Sequence, residues 1–349
     1  MQTRDDNSDL PAPVAEPRGP VRWAFTTLAR LGSLGAILLT ASCFLARYHW
    51  AADLVANLRI QVMIGISGTL LACLIAQQFR LAALTAGLAL IHLLIMAPQL
   101  SPPSSPGEAT EASPLRLMTI NVLTSNSDHD RIAAHIVELD ADVVAVIELS
   151  SSLQIALEQR IGDRYPYSLL RPQDLGNFGM GLYSKSPLAS ARVFQLNESI
   201  DSIEATCQGV RVIATHPLPP MGSRQFLSRN EHLRQLAQRV ADYQTDQRKI
   251  PTVVMGDLNL TPWSPIFAEF ERRSGLIRAR RGLGIQPTWY ARGGAFPFGL
   301  ALDHVLIDPS MHCRWYQVGS DVGSDHRSVT VDLSLSAAQF RSDSRGSLR

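Results

Sequence analysis

Hydrophobic positions fall into two regimes along the chain. From Ala24 to Ala97 they form three long runs, Ala24 to Ala46, Ile60 to Ala76 and Leu81 to Ala97. Each is near the short end of the roughly 17–25 apolar residues that cross a bilayer as a helix. Between Leu31 and Leu100 the only Lys, Arg, Asp or Glu residues are Arg47, Asp53, Arg59 and Arg80. From Leu115 onward the apolar runs shorten and alternate with polar segments, the pattern of a globular domain. Residues Ser101 to Pro114, rich in Pro, Ser, Gly and Glu, divide the two regimes and read as an extended linker.

The globular part predicts alternating strands and helices. Leu115–Val122 alternates and is β-rich, and Val143–Ile147 is a continuous apolar run expected of a strand buried on both faces. Asp128 to Leu139, capped by Ser127, and Ser151–Ile161 read as helices. Gly181–Tyr183, Arg192–Gln195 and Val210–Thr215 read as strands. Arg224–Tyr243 carries Phe226, Leu233, Leu236 and Val240 at helical spacing. Val253–Met255 predicts a strand, Thr261-Pro262 a helix start, and Leu302–Ile307 and Ser328–Leu333 two closing strands. The expected fold class is α/β, preceded by an α-helical transmembrane bundle. The expected organisation is a tail (1–22), three transmembrane helices (23–98), the linker (99–114), the α/β domain (115–335) and a polar tail (336–349).

Trp23, Tyr48 and Trp50 flank the first apolar run, where amphipathic aromatics favour the membrane interface. A cleaved signal peptide is the competing reading of that run, with Thr-Ala-Ser-Cys at 40–43 faintly similar to a lipoprotein cleavage site. Two further apolar runs follow directly, which favours a multi-pass bundle over a leader or buried soluble helices. Arg4, Arg18 and Arg22 precede the first run and Arg80 separates the second from the third, which predicts a cytoplasmic N-terminus and an extracytoplasmic C-terminal domain. Arg47 and Arg59 point the other way.

Composition locates the apolar excess. Charged residues make up 18% of the chain, below the roughly 25% of ordinary soluble domains, and the deficit belongs to the N-terminal third. From Arg116 onward there are about 25 basic and about 24 acidic residues, so the globular part is near neutral. A protein that grips long nucleic acid usually carries a stronger basic bias. None of the four Cys lies in a metal-ligand spacing, so a structural zinc site is not expected. Cys207 and Cys313 read as separate buried thiols, with a disulfide as the alternative.

The chemistry sits at the predicted strand ends. Asn121 closes the first strand and Glu148 the second; His216 follows Val210–Thr215, and Asp257 follows Val253–Met255. Asp303 opens a later strand, and Asp325-His326 precedes the last. Strand ends hand side chains to loops from rigid elements, which is where sites are built. Mg²⁺ takes oxygen ligands and needs only one or two carboxylates beside a substrate phosphate, a role that Glu148 and Asp325 fit. Asp257 is the candidate base for a hydrolytic water. Asn259 is placed to bond the phosphate, and His326, kept protonated by Asp303, to stabilise charge developing on phosphorus. His216 is the candidate for assisting the leaving oxygen, and Arg224 and Arg229, which follow it, read as phosphate contacts or as the polar face of a long helix. A basic cluster, Arg272, Arg273, Arg278, Arg280 and Arg281, reads as a solvated face or an anion contact, and Trp289 and Tyr290 as core packing or a stacking surface. His304, His129 and His135 read as structural, and Trp263 as a staple at a helix start.

Seven segments in order carry a resemblance: Thr-Ile-Asn-Val (119–122), Val-Ile-Glu-Leu (146–149), Gly-Met-Gly-Leu-Tyr-Ser-Lys (179–185), Ala-Thr-His-Pro (214–217), Met-Gly-Asp-Leu-Asn (255–259), Leu-Asp-His-Val (302–305) and Gly-Ser-Asp-His (323–326). Together they resemble the endonuclease/exonuclease/phosphatase superfamily. The resemblance implies a four-layer α-β-β-α sandwich of two mixed sheets with the site at one edge. It implies Mg²⁺, with Mn²⁺ as a substitute, at Glu148 with Asn121 and Asp325 nearby. It implies Asp257 as the water-orienting base, Asn259 on the phosphate, an Asp303–His326 pair and a catalytic His216. The expected function is a membrane-anchored phosphoesterase acting on phosphodiester or phosphomonoester bonds, either a nuclease or a lipid or small-molecule phosphodiesterase. Its partners would be a phosphoester substrate and the bilayer. A catalytically inactive membrane scaffold is the alternative, against which the intact polar set argues. A transporter is disfavoured by the three spans and their sparse ionisable chemistry.

Overall fold

The period-2 alternation of the first two strands sets the layering. In β1 (Leu115–Asn121) Leu117 faces one core and Met118 and Ile120 another. In β2 (Val143–Ile147) Val143, Ala145 and Ile147 share the first core, and Val144 and Val146 the second. A strand with two apolar faces must be covered on both sides. In the computed structural model of the chain, α5 (His129–Leu139) and α6 (Ser151–Ile161) cover the outer face, through Ile132, Ile136, Leu153 and Leu157. The structure describes residues 20–100, 114–197, 200–245, 250–279, 286–291, 294 and 298–335. The linker 101–113, the tails, Arg280 and Arg281 lie outside them.

The inner face packs on a second sheet. The first sheet has the order β13-β14-β1-β2-β4-β3, adding β3 (Tyr167–Arg171), β4 (Met180–Ser184), β13 (Met311–Val318) and β14 (Val329–Leu335). The second has the order β5-β6-β7-β8-β12-β9, from β5 (Ala189–Leu196), β6 (Ile200–Cys207), β7 (Val210–Ala214), β8 (Thr252–Asp257), β9 (Ile277–Arg278) and β12 (Asp303–Ile307). Both sheets are mixed: β1 runs parallel to β2 and antiparallel to β14, and β7 runs parallel to β8, which pairs antiparallel with β12. Val253 and Met255 of β8 enter the core between the sheets, while Val254 faces α7 (Ser223–Thr245) and α8 (Pro265–Ser274) with Leu236, Val240 and Phe267. The result is the expected four-layer α-β-β-α sandwich. A two-stranded ribbon, β10 (Trp289–Tyr290) with β11 (Gly299–Leu300), stands apart from both sheets.

Some expectations shift. The helix after β8 does not start at Thr261-Pro262: Ser264 caps it, accepting from the Ile266 N–H, with Pro265 in the first turn. Asp128, not Ser127, stands at the N-cap of α5. Trp263 stands directly before Ser264, the N-cap of α8, buried, with its indole N–H donating to the Asn57 carbonyl. Cys207, on β6, contacts the Ser184 hydroxyl, while Cys313, on β13, donates to the Trp315 carbonyl, so the two thiols form no disulfide.

In the N-terminal third, α1 (Pro20–Phe44) and the stretch Phe79–Pro98 of α4 (Phe79–Leu100) are long and apolar enough to cross a membrane. A third span exists if α2 (Trp50–Asn57) and α3 (Arg59–Ile75), bent by 70° at their junction, count as one broken span. The described residues within Met1–Thr40 and Val62–His92 form one compact unit, in which Ala29, Ala72, Cys73 and Ala82 pack together. Ser33 contacts Thr85 at 3.3 Å and Thr40 contacts His92 at 3.0 Å, the small and polar contacts by which apolar helices associate. The described residues within Ala41–Gln61 and Leu93–Arg349 form the other unit, so α2 groups with the sandwich.

Candidate active site

Parallel pairing brings the ends of β1 and β2 together in one sheet and those of β7 and β8 in the other. Antiparallel β12 then starts where β8 ends, with Asp303 in register with Asp257. The polar residues of these strand ends meet there and are buried: Asn121, Asp257 and Asp303 are at most 2% exposed. The Asn121 amide donates to Glu148 Oε1 at 2.9 Å and to Asp257 Oδ2 at 3.3 Å. On its other side Asp257 Oδ2 lies 3.5 Å from His216 Nε2 and 3.6 Å from His326 Nε2. His326 Nδ1 pairs with Asp303 Oδ2 at 2.8 Å. The Asn259 N–H donates to Asp257 Oδ1 and its amide to the Pro217 carbonyl, both at 2.9 Å.

The backbone is shaped for this meeting. Glu148 and Asn259 adopt left-handed φ values of 65° and 53°. Non-glycine residues hold that region at a cost, and such strain gathers at functional sites. At Gly256, φ is 147° and an added Cβ would lie 2.0 Å from the Thr215 carbonyl oxygen. Glycine lets the ends of β7 and β8 approach, and so brings His216 to Asp257.

Electrostatics divides four buried histidines near these strand ends: the pKa values of His326 and His216 are raised, those of His232 and His304 lowered. Burial disfavours charge on His326, but the carboxylates of Asp303 and Asp257 outweigh it and push its pKa up to about 10. Burial also opposes His216, and the hydrogen bond and charge of Asp257 raise its pKa above the ordinary value. Asp257 is held down to about 2: burial works against its charge, and the two histidines prevail. Burial lifts the Asp303 carboxyl, against the pull of His326. His232 and His304 are pushed down to about 3, mainly by burial. His304 bonds the Leu260 carbonyl and His232 the Thr215 hydroxyl, so these two are structural.

Ligand atoms of Asp257, Asp303 and His326 lie within 4.8 Å of one another, close enough to share a metal. The protonated His326 already supplies the cation between those carboxylates. Glu148 could hold a metal more readily, because neutral donors bond it: the Asn121 amide, the Thr124 N–H at 3.1 Å and the Thr124 hydroxyl at 3.4 Å. A carboxylate so held, one amide away from the Asp257 carboxylate, suits a hard, oxygen-seeking divalent cation.

The remaining sequence candidates divide. Asp325 is half-buried beside His326, and its Oδ2 accepts from the Trp289 indole at 2.9 Å. Trp289 therefore orients a site carboxylate and is not simply core. Arg224 stands exposed on the first turn of α7. Arg229 does not face a phosphate. Its guanidinium is fully buried, 2.8 Å from Asp53 Oδ2 and 3.1 Å from the Asn259 carbonyl. Arg273 of the basic cluster pairs with Glu269 on its own helix at 2.8 Å. His135 contacts the Ser328 hydroxyl at 2.9 Å, a structural role as expected.

Two further residues support the site: Ser324, within the Gly-Ser-Asp-His segment but with no role assigned from sequence, and Thr288. The Ser324 hydroxyl donates to the Asn121 carbonyl at 2.8 Å and ties the Asp325-His326 loop to β1. The Thr288 hydroxyl accepts from the N–H groups of Leu302 and Asp303 and fixes the start of β12. A lone Ser or Thr in a loop gives no signal in one sequence.

Two mixed sheets between helices, with a histidine–carboxylate cluster at their common edge, define an α-β-β-α sandwich with a buried polar site. Residues 118–326 match the Endonuclease/Exonuclease/phosphatase family, and the chain belongs to it. Solved structures with the same fold include an endonuclease/exonuclease/phosphatase from Beutenbergia cavernae, 22% identical, covering 65% of this chain and 73% of that one at a TM-score of 0.53. A 3'-5' exonuclease, NExo, from Neisseria meningitidis is 21% identical, with 62% and 98% covered and a TM-score of 0.52. The human Nocturnin catalytic domain with bound sulfate is 18% identical, with 64% and 95% covered and a TM-score of 0.51. No curated protein matches the sequence in the same way.

Proposed function

We propose that this protein is a membrane-anchored, divalent-metal-dependent phosphoesterase that cleaves phosphodiester or phosphomonoester bonds with water. The observation that carries the reading is the chain of contacts Asp303–His326–Asp257–Asn121–Glu148. It sets the His326 cation on one side of the ionised Asp257 carboxylate and, across the Asn121 amide, the Glu148 carboxylate on the other.

In this reading Asp257 orients the attacking water and takes its proton as the new P–O bond forms. Its low pKa keeps it ionised at neutral pH. His326, protonated and held by Asp303, faces the negative charge that builds on the phosphoryl oxygens. His216 delivers its proton to the leaving oxygen as the ester P–O bond breaks. Asn259 donates to a phosphate oxygen, and Arg224 at the rim contributes positive charge. Glu148, with Asn121 and Asp325, would hold Mg²⁺ or Mn²⁺, which neutralises phosphate charge and polarises the phosphoryl group.

The apolar helices support a multi-pass anchor joined to residues 115–335 by the 99–114 linker. The placement of Arg4, Arg18, Arg22 and Arg80 favours an extracytoplasmic domain. A C-terminal reporter fusion active only in the cytoplasm would contradict that side. The near-neutral domain favours a phosphoester at or near the membrane, whereas the exonuclease among the similar structures favours a nucleic acid. The deciding experiment is hydrolysis by the full chain of plasmid DNA, RNA, sphingomyelin, phosphoinositides and bis-p-nitrophenyl phosphate with Mg²⁺ or Mn²⁺. Turnover of at least one, lost on Asp257→Asn, supports the reading; no turnover of any contradicts it.

A further inference from the structure

Helix α2 precedes the family-matched segment by more than fifty residues, yet two of its side chains bond α7 and the loop that follows β8. Asp53 and Arg229 are both 0% exposed and form an ion pair at 2.8 Å. The same Arg229 Nη1 donates to the Asn259 carbonyl at 3.1 Å. Its Nε and Nη2 donate to Asn230 Oδ1 at 3.1 and 2.8 Å, so the fork has no freedom to swing toward solvent. One turn along α2, Asn57 Oδ1 accepts from the Thr261 N–H at 2.6 Å and the Thr261 hydroxyl at 2.9 Å. The Asn57 carbonyl accepts from the Trp263 indole at 3.1 Å, and Asp53 Oδ1 from the Ser264 hydroxyl at 3.4 Å. Asn57 Nδ2 donates back to Asp53 Oδ2 at 3.2 Å, joining the two anchors.

These bonds grip the loop 259–264 from the side opposite Asp257 and Pro217. Asn259 holds a left-handed backbone there, with φ 53°. A non-glycine residue keeps that conformation only where its surroundings over-determine it. Its N–H and side chain are fixed on the catalytic side by Asp257 and Pro217. Its carbonyl, and the next N–H but one, are fixed on the other side by Arg229 and Asn57. A buried Asp–Arg pair replaceable by apolar packing is an expensive way to attach a helix. Two directional bonds onto one catalytic loop are what such a pair provides and apolar packing does not.

We infer that Asp53 and Asn57 of α2 are positioning residues for the active site: through Arg229 and Thr261 they set the Asp257–Asn259 loop, so that a segment outside the hydrolase sequence completes the site. The inference rests on Asp257 and Asn259 serving the proposed hydrolysis. It gives the buried polar residues of α2 a role that membrane insertion does not require.

The test uses the full chain and the neutral variant Asn57→Ala, which leaves no buried charge unpaired; Arg229→Lys, which keeps the charge but loses the fork, is the second. Amide hydrogen exchange reads the loop, and hydrolysis of bis-p-nitrophenyl phosphate with Mg²⁺ reads catalysis. The expected result for Asn57→Ala is at least tenfold faster exchange at Thr261, with unchanged exchange in β8. Its kcat should fall at least tenfold with KM within twofold, and Arg229→Lys should shift kcat the same way. Wild-type exchange at Thr261, equal acceleration throughout β8, or faster exchange with unchanged kcat would each overturn the inference. Should the wild-type protein not hydrolyse the probe, the failure belongs to the proposed function, and the exchange contrast alone decides whether α2 sets the loop.

Discussion

His326 Nδ1 lies 2.8 Å from Asp303 Oδ2, and this contact decides the protonation of the site. With one ring nitrogen on Asp303, the other points at Asp257, and two buried carboxylates hold one imidazolium between them. Asp303→Asn should therefore lower the His326 pKa from its value of about 10. The alkaline limb of the rate profile should move toward neutral pH while protein concentration and fold are unchanged. An alkaline limb that stays in place in Asp303→Asn would remove His326 as the cation of the site.

Asp257→Asn and His326→Ala should each reduce kcat by roughly 10²-fold or more, the scale of general-base and electrostatic contributions. Single-turnover rates with the best substrate of the panel measure this directly. A loss below about threefold in either variant would assign the chemistry elsewhere.

Glu148→Ala should weaken activation by Mg²⁺ at least about tenfold, in keeping with what changes around metal ligands cost. Titrating activity against free Mg²⁺, or Mn²⁺ binding by EPR, gives the constant. Equal metal affinity in the wild-type protein and the variant would move the ion to another carboxylate.

Stability should peak near pH 6.5 and fall on both sides. The His326 pKa is raised from 6.5 to about 10 on folding, so its contribution is complete below pH 6.5 and lost as pH rises toward about 10. His232 and His304 are lowered from 6.5 to about 3, so their unfolded forms gain protons first, and stability falls as pH drops from 6.5 toward 3. Asp257, lowered from 3.8 to about 2, adds to the loss below pH 3.8. Thermal unfolding midpoints from pH 4 to 10 check the shape. A midpoint still climbing at pH 9 would be inconsistent with a protonated His326.

Gly256→Ala should destabilise the protein by roughly 1–3 kcal/mol or more, because φ of 147° and the Thr215 carbonyl at 2.0 Å leave no room for a Cβ. Urea unfolding of the variant measures it. A neutral substitution would mean that β7 and β8 can separate without cost.

Much of this was legible in the chain. Val143–Ile147 and Ser151–Ile161 occur with the bounds their patterns predict, since a fully buried strand and an amphipathic helix leave distinct periods. β6 was not legible. It buries Asp201, which pairs with Arg171, Glu204, which pairs with Arg192, Arg211 and Arg239, and Ser202, whose hydroxyl contacts that of Thr215, all partners from outside β6. Asn121, Glu148, His216, Asp257, Asp303 and His326 could be picked out because each is a polar residue ending or opening an apolar strand. The role of α2 is not legible in the chain, nor is that of Arg229. Its proximity to His216 in sequence suggested a phosphate, whereas its partner, Asp53, lies in an eight-residue helix among apolar runs. Ion pairs between residues so distant in sequence leave no periodicity to read.

Whether the site hydrolyses phosphoesters with a divalent cation is tested most directly by product release from the best substrate of the panel, measured in Mg²⁺, after EDTA, and after Mg²⁺ or Mn²⁺ is restored. The account predicts turnover that EDTA abolishes and added metal recovers, and that Asp257→Asn lacks under every condition. Turnover unchanged in EDTA, or equal in Asp257→Asn, would contradict it.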